Sequence, residues 1–146
     1  MTEIEYRVED SEENEAFLIK GLQSYNDKYN DYLREHLGLK KVPFGIYAYK
    51  DGKVIGGLKG ELEHITGWLF IKELYVAEEF RNLDIGSALM KQADKIAREK
   101  EFVGIRAATF DFQAHRFYEK QGYSVYGALE NYPPGATFFS LKKSLE

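Results

Sequence analysis

The chain has 146 residues, with 20 Lys and Arg against 24 Asp and Glu; the net charge of −4 leaves no basic excess to neutralise a nucleic-acid backbone, so no nucleic-acid partner is expected. Aromatic residues make up 15% and cysteine is absent, which excludes a disordered chain, disulfide scaffolds, cysteine-ligated zinc and thiol nucleophiles. The start, Met1-Thr2-Glu3-Ile4-Glu5, is acidic and unlike a targeting peptide, and no apolar run nears the roughly 20 residues that span a bilayer, so a single cytoplasmic domain over residues 1–146, with no membrane partner, is expected.

Ile4, Tyr6 and Val8 alternate with polar neighbours and predict a first strand. Asp10 and Ser11 offer capping oxygens ahead of the acidic run Glu12-Glu13-Asn14-Glu15. Leu18, Leu22, Tyr25 and Tyr29 follow at helical spacing; Tyr32, Leu33 and Leu37 continue a second helical piece, closed by Gly38 and Pro43. The tyrosines read either as the buried side of an amphipathic helix or as an aromatic face for a cationic ligand. Residues 44–50 predict a strand, Asp51-Gly52 a hairpin turn into Lys53-Val54-Ile55, and the glycines at 56, 57 and 60 a bulge or a close backbone approach. Residues 68–76, apolar on both faces, predict a central strand. Ile85, Leu89, Ala93, Ile96 and Ala97 mark one face of a helix ending near Lys100. A strand over 103–109, a helix over 112–121 closed by Gly122, and strands over 123–129 and 137–141 joined through Tyr132-Pro133-Pro134-Gly135 complete the order β-α-α-β-β-β-α-β-α-β-β. That order predicts a mixed α/β fold without internal repeats.

The segment Leu74-Tyr75-Val76, then Arg81-Asn82-Leu83-Asp84-Ile85-Gly86-Ser87-Ala88-Leu89, is a strand, a short loop and a helix start. Such a turn offers unpaired backbone N–H groups at the positive end of a helix, suited to phosphate, with Arg81 as an added cation; alone, it reads equally as an ordinary helix start capped by Asp84. Neither G-x-x-x-x-G-K-[ST] nor G-x-G-x-x-G is present. The segment resembles the acyl-CoA-binding motif [RQ]-x-x-G-x-[GA] of the GNAT superfamily of N-acetyltransferases, with Asp84 where the first glycine is usual. Gln113-Ala114-His115-Arg116-Phe117-Tyr118-Glu119-Lys120-Gln121-Gly122-Tyr123 resembles the second motif of the same superfamily, N-x-x-A-x-x-[FL]-Y-E-x-x-G-[FY]. The resemblance implies the acyl-CoA N-acyltransferase fold with a splayed central sheet, acetyl-CoA as cosubstrate, no metal, a small-molecule or peptide amine as acceptor, and room for a homodimer.

It also implies roles. Leu74, Tyr75, Val76, Arg81, Asn82, Leu83, Asp84, Ile85, Gly86, Ser87, Gln113, Phe117 and Tyr118 are the residues expected to hold the cofactor, with a backbone N–H of Tyr75 or Val76 meeting the thioester oxygen. Tyr118 matches the tyrosine that protonates the departing thiolate; without the resemblance it reads as a helix aromatic packed beside Phe117. Glu73 is the candidate base. Alternation places it on the strand face of Leu69, Ile71 and Tyr75, where partial desolvation is expected, although a half-exposed carboxylate near the strand end is the other reading. His64 is a second base candidate, and His115 is expected to face solvent or a CoA phosphate. A non-catalytic acyl-CoA sensor is the alternative function, suggested by the carboxylate at Asp84.

Overall fold

The computed structural model describes residues 3–36, 38–113 and 115–145; Met1, Thr2, Leu37 and Ala114, each used in the sequence reading, lie outside the described residues. Two compact units result, Met1–Gly38 and Leu39–Glu146. Among the described residues no helix is long and apolar enough to cross a membrane.

The first unit holds α1 (Glu12–Tyr29) and α2 (Asp31–Glu35). Ser11 Oγ accepts the Asn14 N–H at 3.1 Å, and Glu12, Glu13 and Glu15 place negative charge on the positive helix end. Asn30 ends α1 by donating its N–H to the Asn26 carbonyl and starts α2 by accepting the Leu33 N–H on Oδ1 at 2.9 Å. The strand expected at Ile4, Tyr6 and Val8 does not form: all three are exposed, and among the described residues this segment carries no strand. Alternation specifies a strand only where an edge and a face to bury are supplied, and the first unit itself contains helices and, among the described residues, no strand. The tyrosine stripe is exposed rather than buried, Tyr25 packing on Tyr29 (4.6 Å between ring centroids) and Tyr32 on His36 (4.0 Å).

The second unit is a six-stranded mixed sheet carrying two helices. In chain order it comprises β1 (Lys41–Lys50), β2 (Lys53–Glu63), β3 (Trp68–Val76), α3 (Ile85–Glu99), β4 (Gly104–Phe110), α4 (His115–Lys120), β5 (Ser124–Glu130) and β6 (Thr137–Ser144). The strand order is β1-β2-β3-β4-β6-β5; only β3 and β4 are parallel, joined through α3. Asp51 and Gly52, both at positive φ (50° and 77°), make the tight turn that the sequence predicts. Gly60 is required by close approach, since a Cβ there would run into the Phe70 carbonyl oxygen. Leu58, Leu69, Ile71, Ile105 and Leu141 supply one buried sheet face, against which Leu89, Ala93 and Ala97 of α3 pack. A part-buried ion pair joins strands whose residues are far apart in sequence: Glu63, 2% exposed, accepts from Arg106 Nε and Nη2 at 2.9 and 2.7 Å, while Arg106 lies 4.0 Å over the Phe70 ring.

Candidate active site

The residues singled out for chemistry collect where β3 and β4 part. The two strands pair only from Trp68 with Gly104 to Ile71 with Ala107; beyond this, β3 runs on to Val76 and β4 to Phe110 unpaired with each other. Ala77 N–H donates to the Ile55 carbonyl across β2 at 2.8 Å. Strand alternation then turns the backbone groups of Tyr75 toward β2 and those of Val76 toward the gap. The Val76 carbonyl is met from that side by Arg81 Nε at 2.9 Å. Of the two backbone donors considered, the Val76 N–H is the one on the open edge.

A bulge decides which side chains face the other way. Lys59 pairs with Glu73 but Gly60 with Ile71, leaving Lys72 as the extra residue. Parity reverses at such a point, so Leu69, Ile71, Leu74 and Val76 face the core while Glu73 and Tyr75 face outward and are exposed. The expectation that Glu73 shares the strand face of Leu69 and Ile71 is therefore corrected: it lies with Tyr75 on the outward face and is exposed.

Beyond β3 a short 3-10 turn, Glu78–Phe80, leads into the loop, with Asn82 and Asp84 at φ 69° and 58°. Asn and Asp are the non-glycine residues that tolerate this left-handed region best. Asp84 makes no side-chain capping bond; its carbonyl accepts the Ala88 N–H at 3.0 Å. The N–H groups of Ile85, Gly86 and Ser87, the first turn of α3, thus have no partner within the helix. Gly86 allows Phe117 of α4 to lie close, a Cβ there standing 3.2 Å from the ring. Gln121 Nε2 donates to Ser87 Oγ at 2.9 Å and ties α4 to the same turn.

Two adjoining cavities use these elements. One, of ≈ 510 Å³, is lined by Leu74, Tyr75, Val76, Arg81, Asn82, Asp84, Ile85, Gly86, Ser87 and Phe117, together with Phe80 and Lys120, which the sequence reading missed. Leu83 is exposed and does not line it. The other, of ≈ 560 Å³, shares Leu74, Tyr75 and Arg81 and adds Glu73, Gln113 and Tyr118 with Lys72, Ala108, Thr109 and Phe112. Arg81 is held in place, its guanidinium 5.5 Å from the Tyr75 ring centre. Gln113 Oε1 accepts from Thr109 Oγ1 and the Phe110 N–H, both at 3.0 Å, and so fixes the turn between β4 and α4.

Tyr118 is 4% exposed and packs edge-on against Phe117 and Tyr123. Burial pushes its hydroxyl up to about 12, so it stays protonated across the physiological range. His64 packs edge-on against Phe102 in the β2–β3 turn, away from both cavities. His115 packs on Phe139 with Nδ1 buried and lines neither cavity, in place of the solvent or phosphate contact expected for it.

Residues 6–123 match the model of the acetyltransferase (GNAT) family. The chain is 35% identical over 136 residues to a blasticidin-S acetyltransferase of Streptomyces morookaense, covering 85% of this chain and 96% of that protein. The structure is similar to that of a Bacillus cereus acetyltransferase, with a TM-score of 0.74, 29% identity, and coverage of 96% of this chain and 98% of the other. A Bacillus anthracis acetyltransferase solved with acetyl coenzyme A shares the fold at a TM-score of 0.65 and 20% identity, over 77% of this chain and 68% of that one.

Proposed function

The chain belongs to the GNAT acetyltransferase family, and on that premise we propose that it transfers an acetyl group from acetyl-CoA directly to the nitrogen of a small-molecule amine. The observation that carries the reading is the gap between β3 and β4, which has the α3 N-terminus and Arg81 at one mouth and Tyr118 and Glu73 in the adjoining cavity. The residues fit an acyl-CoA. Free N–H groups at Ile85, Gly86 and Ser87, beside the Arg81 cation, suit a pyrophosphate, and the glycine at 86 keeps the first turn slim against Phe117. The family match over residues 6–123 supports treating the chain as one acetyltransferase domain.

Bound acetyl-CoA supplies the activated thioester; the protein's part is to orient it, neutralise charge and move protons. The Val76 N–H, on the open edge, donates to the oxygen that gains negative charge as nitrogen attacks. Glu73, exposed in the same cavity, accepts the ammonium proton directly or through water. A base is needed because an amine of pKa near 10.4 is neutral only about once in two thousand molecules at pH 7. Tyr118 donates toward the sulfur that leaves. Blasticidin S is the first acceptor to assay, because the Streptomyces relative is named for it.

The test is release of CoA thiol from acetyl-CoA by pure protein, with blasticidin S and a panel of small amines, beside a thermal melt with and without acetyl-CoA. Amine-dependent release supports the reading. Stabilisation by acetyl-CoA with no release for any amine supports a sensor instead. No stabilisation at a concentration about 100 times a micromolar Kd, where linkage gives about 2.7 kcal/mol, overturns both.

A further inference from the structure

Phe112 lines the same cavity as Glu73 and Tyr118, yet is 69% exposed. Its turn is pinned on both sides: Asp111 N–H donates to the Thr137 carbonyl at 2.8 Å and Gln113 N–H to the Phe110 carbonyl at 3.0 Å. Gln113 Oε1 adds the two bonds to Thr109 and Phe110. Behind it stands a block of rings. Phe110 lies 6° from parallel with Phe112 at a centroid distance of 5.2 Å, and Phe138 meets Phe110 edge-on at 5.2 Å. Tyr132 packs on Phe138 at 5.1 Å and on Phe110 at 6.3 Å. The outermost ring of an aromatic stack is thus presented at the cavity rim.

We propose that Phe112, backed by Phe110, Phe138 and Tyr132, is a stacking platform that selects acceptor amines carrying a flat aromatic or heteroaromatic ring. The proposal rests on the acetyl-transfer reading, which places the reacting amine in the Glu73 cavity. Ring systems pair face to face with an offset at centroid distances of about 4.5–7 Å, the geometry that Phe110 and Phe112 already adopt, and stacking on such a face tolerates many ring chemistries. A saturated ring of equal size keeps the apolar contact and loses the stacking. The platform therefore acts on acceptor binding and leaves the chemical step untouched.

The experiment compares 2-phenylethylamine with 2-cyclohexylethylamine, which share the amine and the carbon skeleton and differ in planarity. Transfer kinetics are measured along with calorimetric binding to the CoA-loaded protein, which needs no turnover. The expected result is a KM and a Kd lower by about 3- to 10-fold for the flat amine with similar kcat. Phe112→Ala should abolish the preference and Phe112→Tyr keep it, while acetyl-CoA affinity and the melting temperature hold. Equal binding of the two amines, binding of neither, or a preference that survives in Phe112→Ala overturns the proposal. A Phe112-dependent preference in calorimetry, with no acetyl transfer to these amines, to blasticidin S or to any amine of the panel, would sink the acetyl-transfer reading and leave Phe112 only as a ring-binding face; transfer to both amines at equal KM would keep that reading and sink the platform.

Discussion

Replacing Tyr118 by Phe removes one oxygen from a ring held between Phe117 and Tyr123 and leaves the packing in place. Burial holds the hydroxyl at about 12, whereas a thiol of the CoA type titrates near 8.5. A completed proton transfer would run uphill across about 3.5 pH units, or about 5 kcal/mol, before any desolvation of the thiolate. On the proposed acetyl-transfer reading the role left to the hydroxyl is hydrogen-bond donation to sulfur as charge develops, a contact to a charged group worth about 1.5–3 kcal/mol. That converts to a fall of about 10- to 150-fold in kcat. The assay is single-turnover transfer at saturating amine, with acetyl-CoA affinity changed by less than about 1 kcal/mol. The raised value also supplies a check that needs no catalysis. The unfolded tyrosine ionises near 10 and the folded one near 12, so stability is constant below about pH 10 and falls by about 3 kcal/mol from this group between 10 and 12. The alkaline limb of the unfolding curve should flatten in Tyr118→Phe. A kcat within about threefold of wild type, where chemistry limits the rate, would refute the assignment of Tyr118 to the leaving group.

Arg81→Ala removes both the cation at the loop and the bond that holds the Val76 carbonyl, so acetyl-CoA should bind more weakly by about 1.5–3 kcal/mol in calorimetry. Asp84→Gly relieves a left-handed residue that makes no side-chain cap; stability should rise by about 1 kcal/mol in a denaturant titration, with acetyl-CoA affinity equal or tighter. Burial pushes the Glu63 carboxyl up, but its bonds to Arg106, with Lys41 beyond, more than offset this and hold it below the ordinary 4.5. Its stabilisation is thus present above that pH and lost as pH falls through the depressed folded value. Glu63→Gln should cost about 1–2 kcal/mol at pH 7, since Arg106 keeps contact with solvent, and show a shallower acid limb than wild type in pH-dependent unfolding.

How legible the site was depends on the kind of signal each residue carries. The bounds of β3 and α3 are legible to within a residue, because β3 is an apolar run opened after Gly67 and α3 carries an uninterrupted helical period between Asp84 and Lys100. The positive φ at Asp84 was legible as a consequence of the motif glycine it replaces. The orientation of Glu73 was not, because one extra residue at Lys72 reverses every later side chain and leaves no mark in composition. The missing strand at Ile4, Tyr6 and Val8 shows the same limit: period-2 alternation states what a segment could pair as, and the partner edge is a tertiary fact. Glu63 with Arg106, Ser87 with Gln121, and the ring block behind Phe112 are contacts between residues far apart in sequence or between neighbouring elements, so no local window contains them.

Transfer of the acetyl group from carbon-labelled acetyl-CoA in a single turnover, with blasticidin S or the best amine of the panel, is the most direct test. Mass spectrometry of both acceptor and protein follows the label. Direct transfer requires the label on the acceptor nitrogen, none on the protein, and no thiol release until the amine is added. Label retained on the protein, or thiol released by hydrolysis with the acceptor unmodified, would contradict direct transfer.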